Sequence, residues 1–314
     1  MTTRMIFIAG AALLIASGLL GVLIVAWLQS KALTSPPGYI QPDPATFAFT
    51  ETPESVAGLA YEDISFSVGD GETLRGWLVP AAEPSEVAVV TLHGRGGDRR
   101  AFLGQLDMLH GHGVNVLLFD LRENGLSDGK GRGTGLSVRE AEDAIAAAAE
   151  MRRLGNQAVV VYGCSLGGSA AIIAAARDSS IDGVIAEGSI SRFEDFVADG
   201  IDQRLKGRGI NASWAAGLWG DLVVGLTRWR TGLKSYVSAE EAIAAIEGRP
   251  VLLIHGQKDG VVLESHALSL AEKGGPQVVY WPIENAGHCE GHEVAPDAYQ
   301  ARMGAFLAAF KSAD

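Results

Sequence analysis

A serine flanked by glycines is the stretch of this sequence with the clearest potential for chemistry. Residues 163–167 read Gly-Cys-Ser-Leu-Gly and directly follow the apolar, β-branched run Ala158–Tyr162. Such a run predicts a buried strand, and the small residues that come after are compatible with a helix. A Gly-x-Ser-x-Gly turn between a strand and a helix exposes the serine hydroxyl and directs helix N-terminal amides at the group it attacks. Ser165 is therefore a candidate nucleophile.

A second copy of the pattern lies at residues 125–129, which read Gly-Leu-Ser-Asp-Gly. The glycine-rich stretch 130–135 follows it and predicts a loop instead of a helix. Because the turn needs a strand before it and a helix after it, we favour Ser165 over Ser127 as the nucleophile. A thiol nucleophile at Cys164 is a less favoured alternative, since Ser165 holds the central position of the turn.

The sequence contains two cysteines, Cys164 and Cys289, which are too few for a disulfide framework. Both lie beside candidate site residues and could be close in space. We interpret them as two small, buried hydrophobic residues. The sequence leaves open whether they interact.

A serine hydroxyl needs a base to activate it, and the base needs a partner that fixes its orientation. Among seven histidines, His288 lies in a glycine-containing loop between the last predicted strand and the last predicted helix. This position favours His288 over His292 as the base. Asp259, which follows the predicted strand Val251–Ile254, is the favoured orienting acid, and Glu187 is the alternative. A metal site at the two histidines is disfavoured, because no third ligand is evident.

Two hydrogen-bond donors must stabilise the negative oxygen that forms when a carbonyl is attacked. The backbone N–H of Leu166 at the helix start is one candidate, and the backbone N–H of Arg95 is the other. Glycines around Arg95 let this backbone approach a substrate closely. His93 is expected to brace the loop rather than to react. The supporting loop residues are His93, Gly94, Gly96 and Gly97.

Predicted strands alternate with predicted helices, which indicates an α/β fold with a mostly parallel sheet and helices on both faces. An antiparallel hairpin opens the domain, with strands at Ile64–Val68 and Leu74–Val79 joined by a turn at Asp70 and Gly71. In such sheets the ligand site lies beyond the carboxyl ends of the strands. The candidate residues meet this condition, since each follows a predicted strand: His93, Asp120, Ser165, Glu187, Asp259 and His288.

Several local contacts are also predicted. Ser137 with Glu140, and Ser238 with Glu241, have the spacing of capping boxes at helix starts. Asp120 is expected to pair with loop amides or with Arg122.

The segment 189–237 interrupts the alternation of strands and helices. It carries Trp214, Trp219 and Trp229 and is too apolar for a disordered loop. We predict a helical cap insertion over the strand ends, within one domain that spans residues 59–314. The alternative is a surface subdomain that packs its tryptophans into a small core of its own.

Residues 1–33 are predicted to form a single-pass membrane anchor. Met5–Gln29 carries no charge and, at about 1.5 Å per residue, can cross a hydrocarbon core of about 30 Å. Arg4 precedes this span and Lys31 follows it, and we expect the body on the exported side. A cleaved signal peptide is less favoured, because signal cores usually run about 7–15 residues. The proline-rich segment 34–58 is predicted to be an extended tether.

The overall charge and composition limit the classes of partner. The net charge is −12 and no basic stripe is visible, which argues against nucleic-acid binding. The apolar fraction of 47% is ample for a large core. The oligomeric state is not indicated.

Together these motifs resemble the α/β-hydrolase superfamily from about Ile64 to the C-terminus. More narrowly, the core is similar to membrane-anchored Bem46-type and serine-aminopeptidase-like hydrolases, although the cap is not. The sequence departs from many relatives at Glu123 and Asn124, where they carry Gly-His. The landmarks occur in the order of the superfamily: His-Gly-x-Gly-Gly at 93–97, Asp-x-Arg-x-x-Gly-x-Ser at 120–127, Gly-x-Ser-x-Gly at 163–167, His-Gly-x-x-Asp at 255–259 and Gly-His at 287–288.

The resemblance implies a serine hydrolase that cleaves carboxylic (thio)esters through an acyl-enzyme, with no metal or organic cofactor. Ser165, His288 and Asp259 would form its triad. The apolar cap and the anchor favour a small-molecule or lipid-like acyl substrate. A membrane-anchored serine peptidase or amidase is the first alternative, and a non-catalytic binding protein on the same fold is the second.

Overall fold

The computed structural model describes residues 3–35, 41–43, 46–69 and 71–311, with side chains in the first helix from Ile8 onward. The described residues form an eight-stranded sheet with the strand order β1-β2-β4-β3-β5-β6-β7-β8. Strand β2 is antiparallel to β1 and β4, and all other neighbours are parallel. The predicted hairpin and mostly parallel sheet are thus confirmed, while the predicted turn at Asp70 lies outside the described residues. The strands are β1 (Glu62–Val68), β2 (Glu72–Val79), β3 (Val87–Leu92), β4 (Asn115–Phe119), β5 (Ala158–Cys164), β6 (Gly183–Glu187), β7 (Val251–Gly256) and β8 (Val278–Ile283).

Helices cover both faces of the sheet, because alternate residues of each central strand point to opposite sides. In β3, Ala88, Val90 and Leu92 belong to one apolar cluster, and Val87 and Val89 belong to the other. The first cluster includes residues of α4, α5, α8 and α9, and the second includes residues of α3 and α11. The helices are α1 (Thr3–Thr34), α2 (Pro53–Ala57), α3 (Leu103–Gly111), α4 (Val138–Arg153), α5 (Leu166–Arg177), α6 (Phe193–Lys206), α7 (Ser213–Thr231), α8 (Ala239–Ile243), α9 (Glu264–Gly274), α10 (Gly291–Val294) and α11 (Pro296–Ala308).

One of the two predicted capping boxes is present. Ser238 accepts a hydrogen bond from the N–H of Glu241, whose carboxylate accepts one in return at the start of α8. The predicted box at Ser137 and Glu140 is wrong. The Ser137 hydroxyl instead donates to the carbonyl of Leu166 at 2.8 Å, because this buried side chain lies against the start of α5. Glu140 accepts from the N–H of Gly135 instead.

The segment predicted as a cap forms the two helices α6 and α7. Its tryptophans do not build a core of their own: Trp214 is 76% exposed and Trp229 is 78% exposed. Trp219 instead packs against α1, where its indole N–H donates to the Gln29 side chain at 2.6 Å. The cap therefore associates with the N-terminal helix.

Helix α1 contains the predicted membrane span. Residues Ile8–Thr34 are long and apolar enough to cross a membrane, with a mean hydropathy of 2.6. Residues 8–25 are exposed throughout, and burial begins at Ala26. Ser30 and Thr34 are also buried, so the last turns of the helix pack against the rest of the protein.

The predicted tether does not extend away from the body where the structure describes it. Phe49 packs edge-on against Trp77 of β2, with ring centroids 5.2 Å apart. The side-chain amide of Gln41 donates to the carbonyl of Ser127. These apolar and polar contacts hold the segment on the domain surface despite its prolines. Part of the segment, including Pro36, Pro37 and Pro44, lies outside the described residues.

Candidate active site

Ser165 lies at a strained turn between β5 and α5. Its φ of 56° and ψ of −122° lie in a region that non-glycine residues rarely adopt. The two flanking positions must be glycine, because other backbone atoms lie too close for a side chain there. A Cβ at Gly163 would lie 2.2 Å from the carbonyl oxygen of Gly167, and a Cβ at Gly167 would lie 2.1 Å from that of Leu92. The turn is also held by a 2.8 Å hydrogen bond from the N–H of Ser165 to the Glu187 carbonyl.

His288 and Asp259 are hydrogen-bonded, as their predicted roles require. The Nδ1–H of His288 donates to the Oδ2 atom of Asp259 at 2.7 Å. The Asp259 side chain is fully buried, and that of His288 is 23% exposed. The other Asp259 oxygen accepts from the backbone N–H groups of Val261 and Val262 at 2.8 and 2.9 Å. The second ring nitrogen of His288, Nε2, is left as a possible proton acceptor.

The pKa of Asp259 is lowered from its ordinary value. Burial alone raises this pKa, but the hydrogen bond from His288, the N–H of Val262 and the His288 charge together outweigh it. The carboxylate is therefore ionised at neutral pH. A buried, ionised carboxylate fixes the ring orientation of its histidine partner and stabilises the imidazolium form.

Ser165 and His288 line the same cavity, which has a volume of about 330 Å³. Arg95 and Leu166, the two predicted donors to an oxyanion, belong to the same lining. Apolar side chains form much of the remaining wall. They are Leu33, Ile190, Phe193, Phe196 and Val261. The cavity therefore offers a nucleophile and a base beside an apolar surface.

The supporting loop after β3 closely approaches the turn that carries Ser165. A Cβ at Gly94 would lie 3.5 Å from the Cβ of Ser165. Gly96 has a φ of 73°, and Gly97 donates its N–H to the Gly94 carbonyl at 3.1 Å. His93 is buried, and its Nε2 accepts from the N–H of Leu121 at 3.0 Å. Its Nδ1–H consequently donates to the Gly94 carbonyl at 2.8 Å, so the ring braces this loop.

The alternative candidates lie in structural positions. Ser127 is buried, donates to the Asp120 carbonyl at 2.6 Å and accepts from the N–H of Arg75 at 2.9 Å. His292 packs edge-on against the ring of Tyr299, with ring centroids 5.7 Å apart. Neither side chain lines the cavity of Ser165.

Glu187 lies behind the histidine loop and does not orient His288. Its carboxylate accepts from the Tyr299 hydroxyl at 2.6 Å and from the N–H of Gly291 at 2.9 Å. Burial raises the pKa of this carboxyl group. Because Gly291 follows the loop of His288, the Glu187 side chain supports that loop from within the core.

Asp120 pairs with loop amides as predicted, but Arg122 is not its partner. Its carboxylate accepts from the Arg99 guanidinium at 2.7 Å and from the N–H of Leu126 at 2.7 Å. Arg122 instead bonds Asp143 at 2.6 Å. Arg99 is the partner in place of Arg122 because it follows the loop of His93 and lies beside Asp120 at the carboxyl edge of the sheet.

The two cysteines are close in space, as the sequence allowed, but the interpretation of them as small buried hydrophobic residues is wrong. Cys164 and Cys289 form a disulfide bond, with Cα atoms 6.2 Å apart. Strand β5 ends at Cys164, and Cys289 directly follows His288. The loops meet at the carboxyl edge of the sheet, so residues 125 positions apart become neighbours. The disulfide therefore joins the loop of the candidate nucleophile to the loop of the candidate base.

A second histidine near Asp259 belongs to the His-Gly-x-x-Asp landmark but was given no role of its own from the sequence. His255 is fully buried, with its Nε2 atom 4.0 Å from the Oδ2 atom of Asp259. Burial lowers the pKa of His255, which favours a neutral ring beside the carboxylate. Its position four residues before Asp259, at the end of β7, was the available signal.

Comparison with known proteins identifies relatives for most of the chain. A family model described as the alpha/beta hydrolase family matches residues 89–301. The protein YfhR of Escherichia coli O157:H7 is 29% identical over 215 residues, which cover 67% of this chain and 66% of that protein. Polyketide transferase ATR5 of Stachybotrys chlorohalonatus is 32% identical over 148 residues, which cover 46% of this chain and 48% of that protein. The matches thus span less than two thirds of the length of these relatives.

The fold is also shared with solved structures. The esterase Pf2001 of Pyrococcus furiosus superposes with a TM-score of 0.68 at 23% sequence identity. The superposition covers 87% of this chain and 100% of the esterase. With the family match over more than half of the sequence, this chain belongs to the alpha/beta hydrolase family.

Proposed function

We propose that this protein is a serine hydrolase that cleaves carboxylic (thio)esters with Ser165, His288 and Asp259. The 2.7 Å hydrogen bond from His288 to buried Asp259 carries the proposal, because it leaves Nε2 available beside a cavity that also contains Ser165. The order serine, aspartate, histidine along the chain is that of the family's triad.

The proposed reaction proceeds through an acyl-enzyme. The Oγ atom of Ser165 attacks the substrate carbonyl while Nε2 of His288 takes the hydroxyl proton and Asp259 holds the ring. The backbone N–H groups of Arg95 and Leu166 donate to the oxyanion, which then collapses and expels the alcohol or thiol protonated by His288. Water, deprotonated by His288, then attacks the acyl-enzyme; the bond from the acyl carbon to the Ser165 Oγ atom breaks, His288 returns the proton to Oγ, and the carboxylic acid leaves. Each proton is returned, so the residues named complete the cycle without a cofactor.

The cavity lining supports an acyl substrate. Ile190, Phe193 and Phe196 provide an apolar wall beside Ser165, and desolvation of methylene groups on such a wall favours binding. A lipid-like acyl ester suits this wall better than a charged peptide. We also propose the narrower kinship to membrane-anchored Bem46-type and serine-aminopeptidase-like hydrolases, which does not by itself choose between ester and amide substrates.

We further propose that α1 is an uncleaved, single-pass anchor and that the hydrolase domain lies on the exported side. The helix is long and apolar enough to span a bilayer. The disulfide between Cys164 and Cys289 supports an exported domain, because disulfides persist in oxidising compartments and are rare in the cytosol.

The test is a substrate panel with the full-length protein in lipid nanodiscs. Short and long acyl esters, acyl thioesters and aminoacyl amides are compared for wild type and Ser165→Ala. We expect ester and thioester turnover by wild type, a preference for long acyl chains, and no turnover above background by Ser165→Ala. Faster cleavage of aminoacyl amides would favour the peptidase alternative. A folded wild type that turns over no substrate would favour a binding protein.

A further inference from the structure

The last turns of α1 are built into the hydrolase domain. Ser30 is fully buried. Its hydroxyl accepts a hydrogen bond from the hydroxyl of Thr227 in α7 at 2.9 Å, and its carbonyl accepts one from the Arg230 guanidinium at 3.0 Å. The carbonyl of Thr34 accepts a hydrogen bond from the N–H of Thr134 at 2.8 Å. The side chain of Gln29, the residue before Ser30, accepts one from the indole N–H of Trp219. These bonds attach one face of α1 to the cap and to the loop around Thr134.

The same helix end contacts the loop that carries a candidate oxyanion donor. The guanidinium of Arg95 donates to the carbonyl of Ala32 at 2.6 Å. Carbonyls in the last turn of a helix have no partner within the helix, and a cation there also interacts favourably with the helix dipole. Arg95 therefore connects the end of α1 to the loop beside Ser165.

A second cavity, of about 540 Å³, lies between α1 and α6. Val25, Leu28, Gln29, Ala32 and Leu33 line it from α1, at a spacing that places them on one helix face. The opposite wall includes Val197 and Gly200 of α6. This cavity shares four lining residues with the cavity of Ser165, so the two adjoin. The shared residues are Leu33, Arg95, Phe196 and Val261.

One end of this cavity lies beside the end of the proposed membrane span. The exposed apolar stretch 8–25 is about 27 Å long at about 1.5 Å per residue, close to the hydrocarbon thickness of about 30 Å. Val25, the first lining residue of the helix, is at the end of this stretch. The wall formed by α1 thus begins at the bilayer surface and leads toward Ser165.

We infer that this cavity is an acyl-chain subsite, and that α1 forms one wall of it. The occupant is the chain of a bilayer-embedded ester, which enters sideways between α1 and α6 while its carbonyl reaches Ser165. This inference rests on the proposed function for the identity of the reacting group. The apolar lining and the continuity of the two cavities are the observations that assign an acyl chain to this cavity. The polar lining groups are Gln29, Arg95 and Arg204. Gln29 is bonded to Trp219 and Arg95 to Ala32, so neither requires a polar ligand, and the Arg204 side chain is exposed to solvent, which can hydrate its charge.

A matched pair of glycine substitutions tests the subsite. Gly200 lines the cavity, and a Cβ there would meet no heavy atom within 4 Å, so Gly200→Phe fills the cavity without a backbone clash. Gly217 lies in α7 outside both cavities, with the same open space around its Cβ. Gly217→Phe therefore applies the same change to a cap helix away from the subsite.

The first readout is the ratio of kcat/KM for a sixteen-carbon acyl ester to that for a two-carbon ester, in nanodiscs. Each buried methylene contributes about fourfold in binding, so Gly200→Phe should lower this ratio by about tenfold or more. Gly217→Phe should leave the ratio unchanged. An equal ratio in Gly200→Phe and wild type would overturn the inference.

The second readout does not depend on catalysis. Ser165→Ala in nanodiscs is photolabelled with palmitic acid that carries a diazirine at its chain end, and the labelled peptides are mapped by mass spectrometry. We expect label on the α6 peptide Phe193–Lys206, lost when Gly200→Phe is added and retained with Gly217→Phe. This pattern without ester turnover by wild type would uphold the subsite and reject the proposed function. An unlabelled α6, or equal labelling in both double variants, would overturn the subsite.

Discussion

Ser165, Asp259 and His288 come together because each follows a strand of the parallel sheet, and such strands end at one edge. The glycines around Ser165 are required there, since a Cβ at either position would overlap backbone atoms. The positions of Ser165, Asp259 and His288 after predicted strands allowed these three residues to be selected from the sequence. The disulfide could not be predicted, because it depends on how two loops 125 residues apart in sequence pack at that edge, and no local pattern encodes this packing.

At the residue scale, Asp259→Asn should lower kcat by about 10³- to 10⁴-fold with a small change in KM, because an amide favours the wrong histidine tautomer. Steady-state kinetics on an acyl ester measures this effect. Asp297→Asn, at an exposed position in α11, is the matched control and should retain wild-type kinetics. Equal kcat values for Asp259→Asn and wild type would contradict the role of Asp259.

The lowered pKa of Asp259 also predicts a pH dependence of stability. A carboxyl group with a lower pKa in the folded state contributes stability above its unfolded pKa of about 3.9, and loses this contribution as the pH falls through the folded pKa. The stability of wild type relative to Asp259→Asn should therefore decline as the pH falls below about 4. Denaturant unfolding at about pH 5 and at about pH 3 measures the difference. A relative stability that is as large at about pH 3 as at about pH 5 would be inconsistent with an ionised, stabilising Asp259.

At the scale of elements, the strand positions were predictable because buried apolar runs alternate with turn residues. The N-terminal cap of α4 was not, because the Ser137 hydroxyl bonds Leu166 in another helix. The cap helices α6 and α7 were predicted as helical, but their association with α1 was not. Small and polar residues such as Ala26 and Ser30 mark the packed face of α1 only once the partner helix is known.

The disulfide gives a prediction about the two elements that it joins, the turn of Ser165 and the loop of His288. Replacing both Cys164 and Cys289 by alanine should lower the free energy of unfolding by about 2–5 kcal/mol, because the bond closes a long loop of the unfolded chain. Urea unfolding of the variant and of wild type, each with and without dithiothreitol, measures the loss. The reductant should destabilise wild type and leave the variant unaffected. Equal sensitivity of the two proteins would indicate that the bond does not form in solution.

At the scale of the whole molecule, α1 acts both as the proposed anchor and as part of the domain. Its apolar, uncharged stretch predicts a span, and its burial from Ala26 onward packs the last turns of the helix against the body. In the proposed arrangement, the body would therefore lie directly against the membrane surface. The sequence could not predict this arrangement, because an extended proline-rich segment after the span suggested a separate, tethered domain.

The whole-molecule prediction concerns processing and topology. In cells, a protein with an N-terminal epitope should keep that epitope in its membrane-bound form, since cleavage would remove the contacts of Ser30 and Thr34. Protease added from the exported side should digest the hydrolase domain. Immunoblots for the N-terminal epitope and for a C-terminal epitope, with and without permeabilisation, report both properties. Loss of the N-terminal epitope, or a domain protected until permeabilisation, would refute the proposed anchor.

The central claim is that Ser165 is an activated nucleophile, and labelling by a fluorophosphonate probe tests it most directly. The full-length wild type, Ser165→Ala and Ser127→Ala are labelled in nanodiscs, after circular dichroism confirms that each is folded. We predict labelling of wild type and Ser127→Ala and none of Ser165→Ala, because the Ser127 hydroxyl is buried and bonded to the Asp120 carbonyl. Labelling of folded Ser165→Ala at the wild-type rate, or a folded wild type that does not react, would contradict the account.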